Sequence, residues 1–359
     1  MKTTGNKTKN TDAASTPARP SCPPPWEAPG PKAAECLAWA ALALLPVAGY
    51  FAYQGGLRAL SGLNQPDPPA LQRASVPNPI RDVEWDNMTA SLDKLASGYR
   101  GHVGIYLKDL NSGRVWQHNP DRLFPSASLI KVPIMVSILS KIKSGELSLE
   151  TRMKLTRRDR AGGSGSLKWA REGTTLSVTE ILFKMITESD NTATKMLIAN
   201  AGIDYLQRAF GELGLVHTGI FQEGMSLASG RVERENYTTP REMAGLLERI
   251  YLGEIVDAAS SEYMLDVLKH NNKSRTRLRK ALPPGWELGH KTGLLRRSCH
   301  DVGIVFSPRG DYVIAVLTGE VPDYASAKNF IARVARSTYE YYRTETNYAA
   351  AQKGRPSGA

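Results

Sequence analysis

The sequence contains little cysteine and little histidine, and this scarcity excludes two common kinds of site. Three cysteines, Cys22, Cys36 and Cys299, occur among 359 residues, and two of them precede the part of the chain that carries the candidate motifs. That part therefore cannot form an internal disulfide. The six histidines are scattered, and neither Cys-x-x-Cys nor His-Glu-x-x-His occurs. We therefore predict no metal site and no cofactor.

The sequence also lacks the Gly-x-Ser-x-Gly elbow, which disfavours a classical Ser-His-Asp hydrolase. Basic residues outnumber acidic residues, 46 to 35, so the formal net charge is +11 and the pI is near 9.5. No aromatic residues interleave the main basic cluster as they would in a nucleic-acid platform. We therefore predict no nucleic-acid partner and a solvated surface for this cluster, which consists of Lys269, Lys273, Arg275, Arg277, Arg279 and Lys280.

Long apolar runs are rare, with the exception of residues 36–53, which carry no formal charge. A helix of that length would span about 27 Å, close to the roughly 30 Å of a bilayer core. The preceding residues 1–35 are rich in proline and are expected to be disordered, and residues 54–80 have the composition of a linker. We predict a single-pass anchor in a bacterial inner membrane, with the region that follows it on the periplasmic or extracellular side. The alternative is a cleaved signal peptide, for which a leader of 35 residues is long.

Residues 81–345 have the patterning of one globular α+β domain, followed by a disordered tail at 346–359. An amphipathic helix is predicted at 85–99 and another at 325–342, and strands are predicted between 103 and 116 and again between 286 and 317. The sequence between these strands is helical in pattern. This order predicts an antiparallel sheet flanked by the terminal helices, with a separate all-helical lobe. We expect a monomer.

Ser128 and Lys131 form a candidate reactive pair, because residues three apart are neighbours on a helix. Apolar residues follow at the spacing of a buried helical face, at Val132, Met135, Leu139 and Ile142. Ser128 is therefore expected at the N-terminal end of a helix. There the helix dipole favours its alkoxide, and its free backbone N–H can donate to a developing oxyanion.

Ser-x-x-Lys alone is a weak signal, since it also occurs at Ser91 and Ser140, which we interpret as polar residues on helices. Two further motifs, Ser189-Asp190-Asn191 and Lys291-Thr292-Gly293, each occur once downstream. Together and in this order, the three motifs resemble those of class A β-lactamases and penicillin-binding proteins. The resemblance covers roughly residues 80–345 and implies a β-lactamase-like fold with the active site between sheet and helices.

The resemblance also implies roles for the motif residues. Ser128 would be the nucleophile, with Lys131 as its base if a second cation, Lys291, lowers the pKa of that amine. Ser189 would relay a proton to the leaving nitrogen, and Asp190 would cap a helix. The amide of Asn191 and the strand residues Lys291, Thr292 and Gly293 would bind the substrate. The backbone N–H of Leu294 would donate to the oxyanion.

The long loop before Thr239 departs from the family pattern. Counting back from the Asn236-to-Pro240 run places Glu223 at the position of the carboxylate that activates the deacylating water, but the residues after it do not match, and Glu233 and Glu235 are also within reach. Three functions therefore remain open. The chain is predicted to be a serine β-lactamase, a D,D-peptidase or other peptidoglycan hydrolase, or a penicillin-binding sensor that stays acylated. Its expected partner is a β-lactam or a peptidoglycan stem peptide.

Overall fold

The computed structural model describes residues 82–225, 234–271, 275–321 and 323–343. The predicted disordered segment, anchor and linker at 1–80 and the predicted tail at 346–359 lie outside these residues. Within the described ranges, no helix is long and apolar enough to cross a membrane.

A five-stranded antiparallel sheet forms the centre of the domain, as the sequence predicted. Its strand order is β2-β1-β9-β8-β7, so that sequence-distant strands lie side by side. Two short antiparallel pairs, β3 with β6 and β4 with β5, lie outside it. The strands are β1 His102–Asp109, β2 Val115–His118, β3 Phe124–Pro125, β4 Arg152–Lys154, β5 Thr175–Ser177, β6 Tyr237–Thr238, β7 Leu288–Leu295, β8 Ser298–Val305 and β9 Tyr312–Gly319.

Helices cover both faces of the sheet, because alternate residues of β1, β8 and β9 bury apolar side chains on opposite sides. The first and last helices pack on one face, and the central helices form the lobe on the other. The helices are α1 Val83–Ser97, α2 Lys131–Lys143, α3 Val178–Thr187, α4 Asn191–Ala201, α5 Ile203–Glu212, α6 Pro240–Tyr251, α7 Ala258–Lys269, α8 Leu278–Ala281 and α9 Tyr324–Tyr342.

The first turns of α3 and α6 show when a capping pattern in the sequence forms in the structure and when it does not. At α3 the sequence Ser177-Val178-Thr179-Glu180 has the pattern of a capping box, and the box is complete, with Ser177 and Glu180 each bonding the backbone N–H of the other. Thr239-Pro240-Arg241-Glu242 at α6 has the same pattern, but only half of the box forms. Thr239 accepts from the backbone N–H of Glu242, but the Glu242 carboxylate instead accepts from the backbone of Val216 and His217. A tertiary contact has replaced the local one.

Candidate active site

A cavity of about 450 Å³ lies between the edge strand β7, the helical lobe and the loop that precedes β6. Its wall contains residues of two of the motifs and the two residues that follow the third, whose Lys291 bonds Ser189 of the second motif. The helical side supplies Ser128, Lys131 and Asn191, and the sheet side supplies Leu294 and Leu295. The three motifs, dispersed in sequence, therefore meet at one site.

Ser128 lies in a 3-10 turn, Ala127–Ile130, that leads into α2. The sequence predicted Ser128 at the start of the α-helix itself, and the structure places that start at Lys131. Ala127 adopts a positive φ of 47°, unfavourable for a residue with a Cβ, and this sharp turn directly precedes Ser128. Two partners fix the strand before it. β3 pairs with β6, and His300 donates its Nε2–H to the carbonyl oxygen of Pro125 over 2.8 Å.

Lys131 is buried at the base of the cavity with 2% of its surface exposed. Its Nζ lies 2.6 Å from the carbonyl oxygen of Ser189, 3.1 Å from Ser189 Oγ and 2.7 Å from Asn191 Oδ1. Burial lowers the pKa of Lys131 well below its ordinary value, the charge of Lys291 lowers it further, and Asp190 opposes the shift. The second cation expected from the sequence is therefore the one that acts on Lys131.

Lys291 reaches the same hydroxyl from the sheet. Its Nζ lies 3.0 Å from Ser189 Oγ and 3.0 Å from the carbonyl oxygen of Thr292. Burial lowers the pKa of Lys291 to about 7, and the nearby Arg277 contributes to the shift while Asp301 opposes it. Near neutral pH this amine is poised between its charged and neutral forms.

The Ser189-Asp190-Asn191 motif is at once a helix cap and part of the cavity. Asp190 is the N-cap of α4 and accepts from the backbone N–H of Ala193 and of Leu167, at 2.9 and 2.8 Å. Its two bonds tie α4 to the cavity-wall loop. Gly165 must be glycine there, because its φ is +103° and an added Cβ would lie 2.2 Å from Asp190 Cγ.

Asn191 holds the same loop from the other side. Its Nδ2 donates to the carbonyl oxygen of Gly162 over 2.9 Å while its Oδ1 accepts from Lys131. One N–H of its amide group has a partner in the loop, so the second can serve a ligand.

The predicted substrate-binding residues of β7 lie on an edge strand, which has a neighbour on one side only. Gly293 packs against the segment that carries Ser128, since a Cβ at Gly293 would lie 3.3 Å from Ala127 Cβ. Leu294 is exposed and lines the cavity, and Thr292 is half-buried beside it. The geometry leaves room for an extended substrate to lie along this strand.

The two candidate carboxylates of the loop before β6 differ in position. Glu223 begins a short 3-10 turn, Glu223–Met225, and its side chain is exposed and not part of the cavity wall. Glu235 is half-buried and lines the cavity. The residues between them, 226–233, lie outside the described part of the chain, and Glu233 with them.

The sequence interpretation failed at Arg277, which was assigned to a solvated basic cluster. Arg277 is buried, with 6% of its surface exposed, and its Nε donates to Cys299 Sγ over 3.3 Å. It is one of the groups that lower the pKa of Lys291. The sequence around Arg277 does not distinguish it from the neighbouring basic residues. Its burial results from a contact with β8, which is distant in sequence. His300, which fixes the strand before Ser128, was missed for the same reason.

Comparisons with family models, known sequences and solved structures all return β-lactamases. A family model described as the beta-lactamase enzyme family matches residues 87–342. Beta-lactamase VEB-1 of Pseudomonas aeruginosa is 25% identical over 275 residues, which cover 73% of this chain and 92% of that protein. A solved beta-lactamase from Sphaerobacter thermophilus superposes with a TM-score of 0.66 at 28% identity, covering 76% of this chain and 99% of that one.

A second solved structure shows what a similar fold binds. It is a mutant of PBP-A in an acyl-enzyme complex with penicillin G, and it superposes with a TM-score of 0.65 at 30% identity. The match covers 71% of this chain and 96% of that one.

Proposed function

Because this chain belongs to the beta-lactamase enzyme family, we propose that it opens β-lactams through an acyl-enzyme on Ser128. The observation that carries the proposal is the convergence of two buried lysines on the hydroxyl of Ser189, one of which, Lys131, lines the same cavity as Ser128. A serine hydroxyl is a weak nucleophile and needs a neutral base in reach. Burial and a neighbouring cation supply such a base in Lys131.

In the proposed acylation, Lys131 in its neutral form takes the proton of the Ser128 hydroxyl as Oγ attacks the lactam carbonyl carbon. The oxyanion accepts from the backbone N–H groups of Ser128 and Leu294. As the C–N bond breaks, Ser189 passes a proton to the leaving nitrogen and is itself reprotonated from the lysines on either side. Lys291 and Thr292 bind the substrate carboxylate, and Asn191 binds an amide of the substrate.

The fate of the acyl-enzyme separates this proposal from its alternative, a D,D-peptidase or a penicillin-binding sensor that does not turn over. Two observations favour keeping that alternative. The chain is similar to PBP-A, a mutant of which was solved as a penicillin G acyl-enzyme. In addition, Glu223, the carboxylate that the sequence suggested for hydrolysis, is exposed and does not itself line the cavity, although Gln222 and Gly224 on either side of it do.

Covalent labelling tests the nucleophile. Fluorescent penicillin should label the unmutated protein, and Ser128→Ala should abolish the label. Ser140→Ala is a matched control, because Ser140 has the same Ser-x-x-Lys spacing but bonds only the helix carbonyl of Val136. A label that survives in Ser128→Ala and is lost in Ser140→Ala would contradict the assignment.

We also propose that the enzyme works in the bacterial cell envelope, where β-lactams and peptidoglycan stem peptides are found. The support is the uncharged stretch 36–53 and the proline-rich stretch that separates it from the domain. Fractionation followed by N-terminal sequencing should recover the full chain with the membranes. A soluble product that begins after Tyr53 would refute the anchor.

A further inference from the structure

The loop before β6 returns to the active site beside the nucleophile. β3 and β6 pair with Phe124 opposite Thr238 and Pro125 opposite Tyr237. The pairing continues by one bond, since the backbone N–H of Ser126 donates to the carbonyl oxygen of Asn236 over 2.6 Å. The next residue on one strand is Ala127, adjacent to Ser128. The next on the other is Glu235.

Glu235 is therefore positioned by the backbone that also positions the nucleophile. The chain turns away from the β3 direction at Ala127, so the strand pairing itself ends before this residue. Ala127, Ser128 and Glu235 nevertheless line the same cavity. The side chain of Glu235 is therefore on the cavity into which the nucleophile opens.

Asn236 makes this placement rigid, because it joins the two arms of the loop. Its Oδ1 accepts from the backbone N–H of Phe221 over 2.7 Å, and its Nδ2 lies 3.2 Å from Met225 Sδ. Its carbonyl oxygen binds Ser126. Thus the side chain of Asn236 fixes the loop, and its main chain fixes Glu235 against the nucleophile strand.

The environment of Glu235 suits a base. The side chain is half-buried, and burial raises the pKa of its carboxyl group toward neutral pH. Oε1 accepts from the backbone N–H of Asn236 over 2.9 Å. Among the described residues Oε2 has no hydrogen-bond partner, so it can bind a water molecule. Glu223, at the other end of the same loop, is exposed and does not line the cavity.

From this geometry we infer that Glu235, and not Glu223, is the carboxylate that hydrolyses the acyl-enzyme. The inference rests on the proposed function. In the step, Glu235 takes a proton from water as the water oxygen attacks the ester carbon formed on Ser128. The ester C–O bond then breaks, the product leaves with the new carboxyl group, and a proton returns to Ser128 Oγ. Glu235 loses the proton that it accepted, so the site is restored.

Quenched mixing with a chromogenic cephalosporin, followed by mass spectrometry of the intact protein, tests the inference. Glu235→Gln should acquire the adduct at the unmutated rate but lose it about 100-fold more slowly, the lower end of what a general base contributes. Glu235→Asp, which keeps a carboxylate on a shorter side chain, should clear the adduct at an intermediate rate. Glu262→Gln is the matched control, since Glu262 is exposed on α7, and it should clear the adduct as the unmutated protein does.

Each other outcome has a definite meaning. Adduct that clears normally from Glu235→Gln, or that persists in Glu223→Gln alone, would overturn the inference. A lasting adduct on the unmutated protein would also overturn it, but acylation at Ser128 would stand. Absence of any adduct and of any hydrolysis would remove the proposed function itself. If thermal unfolding shows that Glu235→Gln does not fold, the Glu235→Asp variant decides: clearance slowed without slower acylation supports the inference, and unchanged clearance refutes it.

Discussion

Lys131 and Lys291 meet at one hydroxyl, with their Nζ atoms 3.1 and 3.0 Å from Ser189 Oγ. One approaches from α2 and the other from β7. Burial lowers the pKa of each amine, and a neighbouring cation lowers it further, Lys291 in the case of Lys131 and Arg277 in the case of Lys291. The Ser189 hydroxyl can both accept and donate a hydrogen bond and lies within reach of both amines, which makes it a natural path for a proton.

Replacing Ser189 should therefore impair chemistry more than folding. Ser189→Ala keeps the Cβ at the positive φ of 51°, so it adds no backbone strain. It removes the hydroxyl that connects the two lysines. We expect acylation by a chromogenic cephalosporin to slow by about 100-fold, the scale of general acid-base catalysis, with little change in the melting temperature.

Ser140→Ala is the control for this measurement, because Ser140 bonds only its own helix. An acylation rate of Ser189→Ala within twofold of the unmutated rate would remove Ser189 from the proton path.

Replacing Asp190 should impair folding more than chemistry, because its carboxylate bonds backbone groups that hold the fold. It is fully buried and bonds the backbone N–H groups of Ala193 and Leu167. Asp190→Ala leaves both donors unpaired, which should lower the free energy of unfolding by about 3 kcal/mol. Urea denaturation measures this loss. At the half-buried start of α7, Asp257→Ala removes a similar cap together with an ion pair to Lys143, and it should still cost clearly less, because water can replace the lost bonds. Equal losses would show that burial does not matter at Asp190.

The sequence predicted local features well because their causes are local. The helical patterns at 85–99 and 325–342 and the alternating apolar residues after residue 103 each depend on neighbours within a few residues, and the structure confirms them. The fold class could be predicted too, because the three motifs have a recognisable order. Residues of two motifs, together with the two residues that follow the third, line the cavity between sheet and helices.

Features that depend on contacts between distant segments could not be predicted. The Glu242 carboxylate matched a capping box but bonds the backbone near Val216. Arg277 stood in a run of basic residues that looks solvated, yet it is buried against Cys299. Which of Glu223 and Glu235 lines the cavity depends on how the loop before β6 returns to β3. Counting residues along the chain cannot predict this.

The depressed pKa of Lys291 makes a prediction about stability. The folded protein releases this proton near pH 7, whereas an unfolded lysine keeps it to about pH 10.4. Between these values the unfolded state binds more protons, so the contribution of Lys291 to the free energy of unfolding rises with pH. Lys291→Met removes this contribution. It also removes a repulsion on Lys131, whose pKa should move back toward its ordinary value and add a change of the same sign.

Urea denaturation at pH 7 and pH 9 measures the effect as the difference in free energy of unfolding between the unmutated protein and Lys291→Met. That difference should shift in favour of the unmutated protein by roughly 2 kcal/mol over this interval. Lys94→Met, at an exposed position on α1, is the matched control for removing a lysine, and the shift for Lys291→Met should exceed the shift for this variant. A Lys291→Met difference that stays constant or falls between pH 7 and pH 9 would mean that the pKa of Lys291 is not lowered in the folded protein, and that Lys131 has a neighbour charged throughout this range.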